Sequence, residues 1–190
     1  MNYELRIKNE QKLIPFIWIN GKEKEINVNV NLKGNDSNAH IIGIFLGTLD
    51  NSIIFNTNVV HTGKNTFSRI DIRAVFLGHS IFSSDGMIHI AKGARGADGY
   101  FTSKVLLFDD ARGRSVPSLE IDENELKAGH ASTIGRPDEN QLFYMKARGI
   151  PEKEAYRLII EGFFEPVLKF FPRVKQDSIR KKLIKLINVS

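Results

Sequence analysis

The chain is 190 residues long, 42% hydrophobic and 26% charged, which suits one domain with its own core, or one domain and an appendage. It has no cysteine, so disulfides, thiolate catalysis and any cysteine-ligated metal held by this chain alone are excluded. Of the formal charge of +5, Lys169–Ser190 carries +6, from seven basic residues against Asp177, and the rest nets −1.

Met1-Asn2-Tyr3-Glu4 has neither a basic leader nor an apolar segment. No apolar run approaches the ~18 residues of a membrane span. A cytoplasmic protein without membrane attachment is expected. The first strands flank Asn20-Gly21: Ile14–Ile19 before it, Glu25–Val30 after it. Asn-Gly accepts the positive φ of a two-residue turn, so the sequence predicts a β-hairpin here. Ile26, Val28 and Val30 alternate with asparagines, giving that strand one wet face.

From residue 39, apolar runs each end near a glycine: Ile41–Leu46 before Gly47, Ile53–Val60 before Gly63, Ile70–Leu77 before Gly78, Met87–Ile90 before Gly93. The glycines lie 16, 15 and 15 residues apart. Val105–Phe108 stops at Asp109-Asp110, another turn signal. Repeated strand-plus-turn units with no helix between them fit a solenoid whose units bury a core by stacking, or a β-sandwich.

After Pro137 the pattern turns helical. Asp138-Glu139 place negative charge at a helix start, Gln141–Arg148 follows, and Gly149 stops it. Pro151 opens a second helix to Phe171, with Ala155, Leu158, Ile159, Gly162 and Phe163 on one face and a kink expected at Pro166. A last amphipathic helix, Val174–Ile187, presents Ile179, Leu183 and Leu186 on one side and lysines on the other. The segments read as 1–36 leading strands, 37–136 β core, and 137–190 helical cap.

Candidate chemistry is sparse. His61, His79 and His89 could fall on neighbouring rungs, but their spacings of 18 and 10 match no compact ligand motif. His40 and His61 sit at strand edges, where a polar side chain usually meets solvent. Thr62-Gly63-Lys64-Asn65-Thr66 lacks the leading glycine and the Ser/Thr after lysine that a phosphate loop needs, and a strand follows it. ATP hydrolysis by this chain is therefore not expected. Asp109-Asp110 and Asp122-Glu123 are the acid pairs that a β-helix carbohydrate lyase or hydrolase would need, although both lie in expected turns. The basic tail raises nucleic-acid binding as a further alternative, against the simpler reading of a solvated helix face.

Four pieces stand in order: Pro117-Ser118-Leu119-Glu120-Ile121, Gly129-His130-Ala131-Ser132-Thr133-Ile134-Gly135, Asp138–Tyr144 with Gln141, Phe143 and Tyr144, and Ala147-Arg148-Gly149-Ile150. Together they resemble the closing signature of the SufB/SufD family, scaffold subunits of the SUF iron–sulfur cluster assembly machinery. Val60–Phe82 and the Gly-Ala-Arg-Gly-Ala-Asp run at 93–98 fit the same family, so the likeness covers roughly 58–164. It implies a right-handed parallel β-helix with a C-terminal α-helical subdomain, and a non-catalytic scaffold. It also implies two partners: a SufB-like paralogue or a second copy paired through the β-helix, and a SufC-like ABC ATPase on the C-terminal helices. The helical region that precedes the core in the family is not seen; Glu4–Ile19 offers only strands.

Within the family, Thr102 matches the position where SufB-like chains carry a cysteine, and Gly129 and Ala131 match flanking glutamates. Only the histidine is retained, as His130, and this is the SufD-like pattern. The resemblance makes His130 the candidate cluster-assembly and interface residue, an iron ligand only alongside a partner chain. No cofactor is expected to bind stably to this chain alone; a transient Fe–S cluster at a complex interface is the expected cargo. Arg148, Tyr156, Arg157, Phe163 and Phe164 are the candidate ATPase-docking residues, with Phe143-Tyr144 and Phe163-Phe164 expected to pack the helical cap onto the end of the β-helix.

Overall fold

A computed structural model describes residues 1–187; the last three residues of the basic tail lie outside the described residues. Half of the chain is strand, coiled into a parallel β-solenoid of about five turns with helices at the C-terminal side. One sheet contains β1 (Asn2–Ile7), β3 (Glu25–Leu32), β5 (Ser52–His61), β7 (Ile81–Ile90) and β9 (Arg112–Ile121), in that order. The facing sheet contains β2 (Gln11–Ile19), β4 (Asn38–Gly47), β6 (Phe67–Phe76), β8 (Ala97–Leu107) and β10 (Leu126–Gly135). Each ladder is parallel, and successive strands of one sheet are offset by about one turn of chain, as in Asn38 beside Phe67 and Ile81 beside Arg112.

The glycine repeat of about 15 residues is thus a half-turn, one strand plus one corner. Eight of the nine corners contain a residue in the left-handed region: Asn20, Leu49, Gly78 and Asp109 along one edge, and Asn9, Asp36, Asn65 and the pair Gly93 and Gly96 along the other. Asparagine, aspartate and glycine tolerate that conformation best. This corrects the hairpin expectation: Asn20 (φ 45°) does reverse the chain, but β2 pairs with β4 and β3 with β1 and β5. The strands on either side of Asn20-Gly21 therefore belong to opposite sheets, and the first 36 residues are already solenoid rungs. Gly63 has a different role: a Cβ there would sit 2.3 Å from the carbonyl oxygen of Gly34 on the stacked corner.

Strand parity decides what is inside. Ile26, Val28, Val30 and Leu32 of β3 point inward, and Asn27, Asn29 and Asn31 point outward. The outward amides stack rung on rung: Asn27 Nδ2 donates to Asn2 Oδ1 at 3.1 Å, and Asn56 Nδ2 to Asn27 Oδ1 at 3.0 Å. Inside, Phe45 bridges Phe55 and Phe82 at centroid distances of 4.7 and 5.3 Å, extending an aromatic column through the core.

A second core lies outside the solenoid. β4 is apolar on both faces, as strands covered on both sides are. Its outward Ile42, Ile44 and Leu46, with Val75 and Leu77, are covered by α2 (Glu152–Leu168) and α3 (Arg173–Ile187). The face of α2 that is buried is Ala155, Ile160, Phe164, Val167 and Leu168, rotated from the expected one; Leu158 is exposed. Pro166 lies in the last turn, and the helix runs through to Leu168. α3 buries Ile179, Leu183 and Ile187, and Arg180 binds Glu165 of α2 at 2.8 Å. α1 (Glu139–Ala147), capped by Asp138 on the Asn140 N–H and ended by Gly149 at φ 83°, buries no residue.

Candidate functional site

The candidate cluster-assembly residue, His130, lies on the last rung, where the solenoid stops. β9 and β10 are the edges of their sheets, bonded only to β7 and β8, and among the described residues no strand covers the rung they make. Pro117 is tolerated in β9 because an edge strand does not need every amide. Toward the interior this rung presents Leu119, Leu126 and Ala128, packed against the core but only partly buried.

His130 lies at the centre of this end. The register of the second sheet runs Ile14, Ile41, Ile70, Phe101, His130. The first four are buried core residues, so His130 occupies an inward-facing position. With no rung above it the imidazole is nevertheless exposed. A core position filled by a solvent-accessible imidazole suits a ligand or an interface better than packing. Its neighbours Gly129 and Ala131 face the other side of the sheet: Gly129 beside Tyr100, Ala131 beside Thr102. The structure therefore brings Thr102, Gly129 and Ala131 together on the outer face, around the last two rungs. None of the three offers a thiolate or carboxylate, which leaves His130 as the strong donor of that stretch.

The interior also becomes more polar toward this end. One row runs Phe16, Gly43, Ile72, Ser103, Ser132, and another Ile26, Phe55, Ser84, Ser115. The hydroxyls of Thr57, Ser84, Ser103 and Ser115 are buried without a hydrogen-bond partner.

The remaining histidines do not gather. His61, expected at a wet strand edge, is fully buried inside the solenoid. Its Nδ1 lies 2.8 Å from Thr66 Oγ1 and its Nε2 2.8 Å from Ser68 Oγ. Because the Thr66 hydroxyl donates to the Gly63 carbonyl, it accepts from Nδ1–H, and Ser68 then donates to Nε2. Burial pushes the His61 pKa down to about 4, with Asp98 opposing. His89, the register neighbour of Val60, faces outward, on the opposite side of the sheet from His61. His79 is exposed at a corner, 3.8 Å from Asp110. The acid pairs serve corners: Asp109 accepts the Gly78 N–H at 2.9 Å, and Glu123 accepts those of Gly93 and Asn124.

The helical candidates divide. Phe164 is fully buried, so it belongs to the core between α2 and the sheet and is not available at a surface. Phe163 is half-buried, beneath the Arg73 guanidinium at 5.1 Å. Tyr156 packs edge-on against Phe108 at 5.2 Å. Arg157 is engaged by Glu154 and Glu161 of its own helix, and both hold its charge within the chain. Arg148 is exposed and stacks on Tyr144 at 5.2 Å. Phe143 and Tyr144, expected to pack the cap onto the β-helix, are instead 74% and 60% exposed on α1. Of the other signature residues, Glu120, Gly135 and Gln141 are exposed, Pro117 and Leu119 are half-buried, and Gly149 stands at the α1 stop.

Residues 16–163 match the SufBD core domain of the SUF system for FeS cluster assembly. The chain is 34% identical over 158 residues to the iron–sulfur cluster assembly protein SufD of Bacillus subtilis, covering 83% of this chain and 36% of that protein. It is 29% identical over 182 residues to a SufBD family protein of Mycobacterium leprae, covering 90% of this chain and 45% of the relative. A SufBD family protein of Mycobacterium tuberculosis is 30% identical over 142 residues, 74% of this chain and 17% of the relative. The chain thus spans less than half the length of these relatives. With a solenoid core matched over most of its length and its signature histidine on the last strand, the chain belongs to the SufBD family.

Proposed function

We propose that this chain is a SufD-like, non-catalytic scaffold subunit of iron–sulfur cluster assembly. It pairs through its last rung with a SufB-like chain or a second copy, and carries a SufC-like ATPase on its helical side. The observation that carries this reading is the open end: two unpaired strand edges, a core row ending in exposed His130, and an uncovered helix α1 with Phe143 and Tyr144. Unpaired parallel edges are templates for another chain, and exposed aromatics anchor interfaces. A cluster forming at such a junction would be cargo. His130 would supply one neutral imidazole, and the thiolates would come from the partner, because this chain has none. Motion of the ATPase would reach the open end through α2 and the sheet beneath it.

The decisive experiment is co-expression with SufB- and SufC-like candidates followed by anaerobic cluster reconstitution. A complex that survives His130→Ala but loads less cluster supports the assignment, and equal loading removes His130 from the site. Loss of the ATPase alone on Phe163→Glu places its docking on α2. Failure to associate with any SufB-like, SufC-like or identical chain would refute the scaffold reading.

A further inference from the structure

On the outer face of the first sheet, opposite the side that His130 occupies in the interior, three side chains meet in an arrangement that the proposed scaffold role does not use, although one of them, Glu120, also belongs to the signature. His89 on β7 and Glu120 on β9 are direct register partners, so both project outward from adjacent strands. Asp122 is the first corner residue after β9, its backbone N–H held by the Ile90 carbonyl at 2.9 Å. One ligand atom from each lies within 4.8 Å of the others, and His89 Nε2 is 3.0 Å from Asp122 Oδ2. This is the one such group of three among the described residues.

The charges around it single it out. Other acids on this part of the molecule have partners: Asp85 pairs with Arg114, Glu125 with Arg95, and Glu123 accepts two backbone amides. Glu120 and Asp122 have no lysine or arginine partner among the described residues, yet they converge on one imidazole. A histidine nitrogen with two carboxylate oxygens is a donor set for a borderline divalent ion such as Zn²⁺. With bonds of about 2.0–2.1 Å, tetrahedral ligands stand roughly 3.3–3.5 Å apart. Glu120 and Asp122 are exposed, so their side chains have room to rotate toward that spacing.

We propose that His89, Glu120 and Asp122 form a surface site for a zinc-class divalent transition-metal ion, with water completing its coordination. The site stands apart from His130 and does not depend on the scaffold reading. The test is equilibrium dialysis and calorimetry of the purified full chain with zinc chloride, run on wild type and on variants. Wild type and His130→Ala should each bind one equivalent. His89→Ala, Glu120→Gln and Asp122→Asn should each weaken binding by more than the roughly 10–100-fold that loss of an outer-shell partner costs. His79→Ala, which removes another exposed imidazole beside an aspartate, should not. All three site residues are surface side chains, so the variants should keep the wild-type circular dichroism spectrum. Wild type that takes up no zinc, or zinc binding that is unchanged in His89→Ala, would overturn the proposal.

Discussion

Acidification should destabilise this solenoid through His61. The imidazole is fully buried, and burial lowers its pKa from an ordinary 6.5 to about 4. Since the folded value lies below the unfolded one, the unfolded chain takes up the proton first. The stability is complete above pH 6.5 and is lost as pH falls through 6.5 toward 4. Two and a half pKa units correspond to about 3 kcal/mol in full, of which about 2 kcal/mol is lost between pH 7 and pH 5. With a urea m-value of about 2 kcal/mol/M, that moves the unfolding midpoint by roughly 1 M. The assay is urea denaturation at pH 7 and pH 5 for wild type and His61→Gln, which keeps one donor and one acceptor for Ser68 and Thr66 but cannot titrate. His61→Gln should start lower at pH 7 and lose far less on going to pH 5. If the two proteins show the same pH slope, the loss belongs to other groups and the account of His61 is wrong.

Gly63→Ala should cost about 1–3 kcal/mol or more in chemical denaturation, because its Cβ would meet the Gly34 carbonyl and stacked corners leave no room to relax. Leu49→Asn should raise stability by roughly 0.5–1 kcal/mol. Leu49 is 68% exposed at φ 59°, where Asn20 and Asp109 fill the equivalent corners of the same edge, and an unchanged or lower melting temperature would contradict this. Phe164→Ala should cost about 3–5 kcal/mol, whereas Phe143→Ala should stay within about 0.5 kcal/mol. Thermal melts compare the two directly, and a Phe143→Ala loss on the Phe164 scale would mean that α1 is packed after all.

Much of this architecture was legible in the sequence, and the failures have physical causes. The glycine-terminated runs announced stacked units because most corners use a left-handed residue and Gly63 makes a close approach to the corner below. The Asn20-Gly21 hairpin failed because a left-handed asparagine serves a solenoid corner as well as a two-residue turn, and local chemistry does not tell them apart. His61 was legible in principle: β5 alternates Ile53, Phe55, Thr57, Val59, His61, and parity alone puts the histidine inside. Its place at the strand end suggested solvent, but a corner stacked between others is not an exposed end. The helices were found close to their bounds, yet the buried face of α2 was missed because Ile159 and Ile160 both fit an apolar stripe. The sheet beneath chose Ile160. His89 with Glu120 was invisible because their separation of 31 residues becomes adjacency only once the length of a turn is known.

The two ends of the second sheet's interior rows differ in a way that stability alone does not explain. At the start, Ile14, Phe16 and Trp18 are buried apolar side chains. At the finish, the same rows arrive at His130, Ser132 and Ile134, with Ile134 41% exposed. The buried hydroxyls of Ser84, Ser103 and Ser115 cluster in the last two turns, where each unsatisfied group costs about 1–3 kcal/mol. A solenoid that had only to end could fill these positions with valine or close the rung with a helix, yet α1 lies beyond it and buries nothing. Stability is therefore concentrated in the first four turns and in the α2–α3 layer, and the last turn is built at their expense. That division is what lets one rigid chain present a polar, incomplete rung, and it explains why the signature residues gather where the core is weakest.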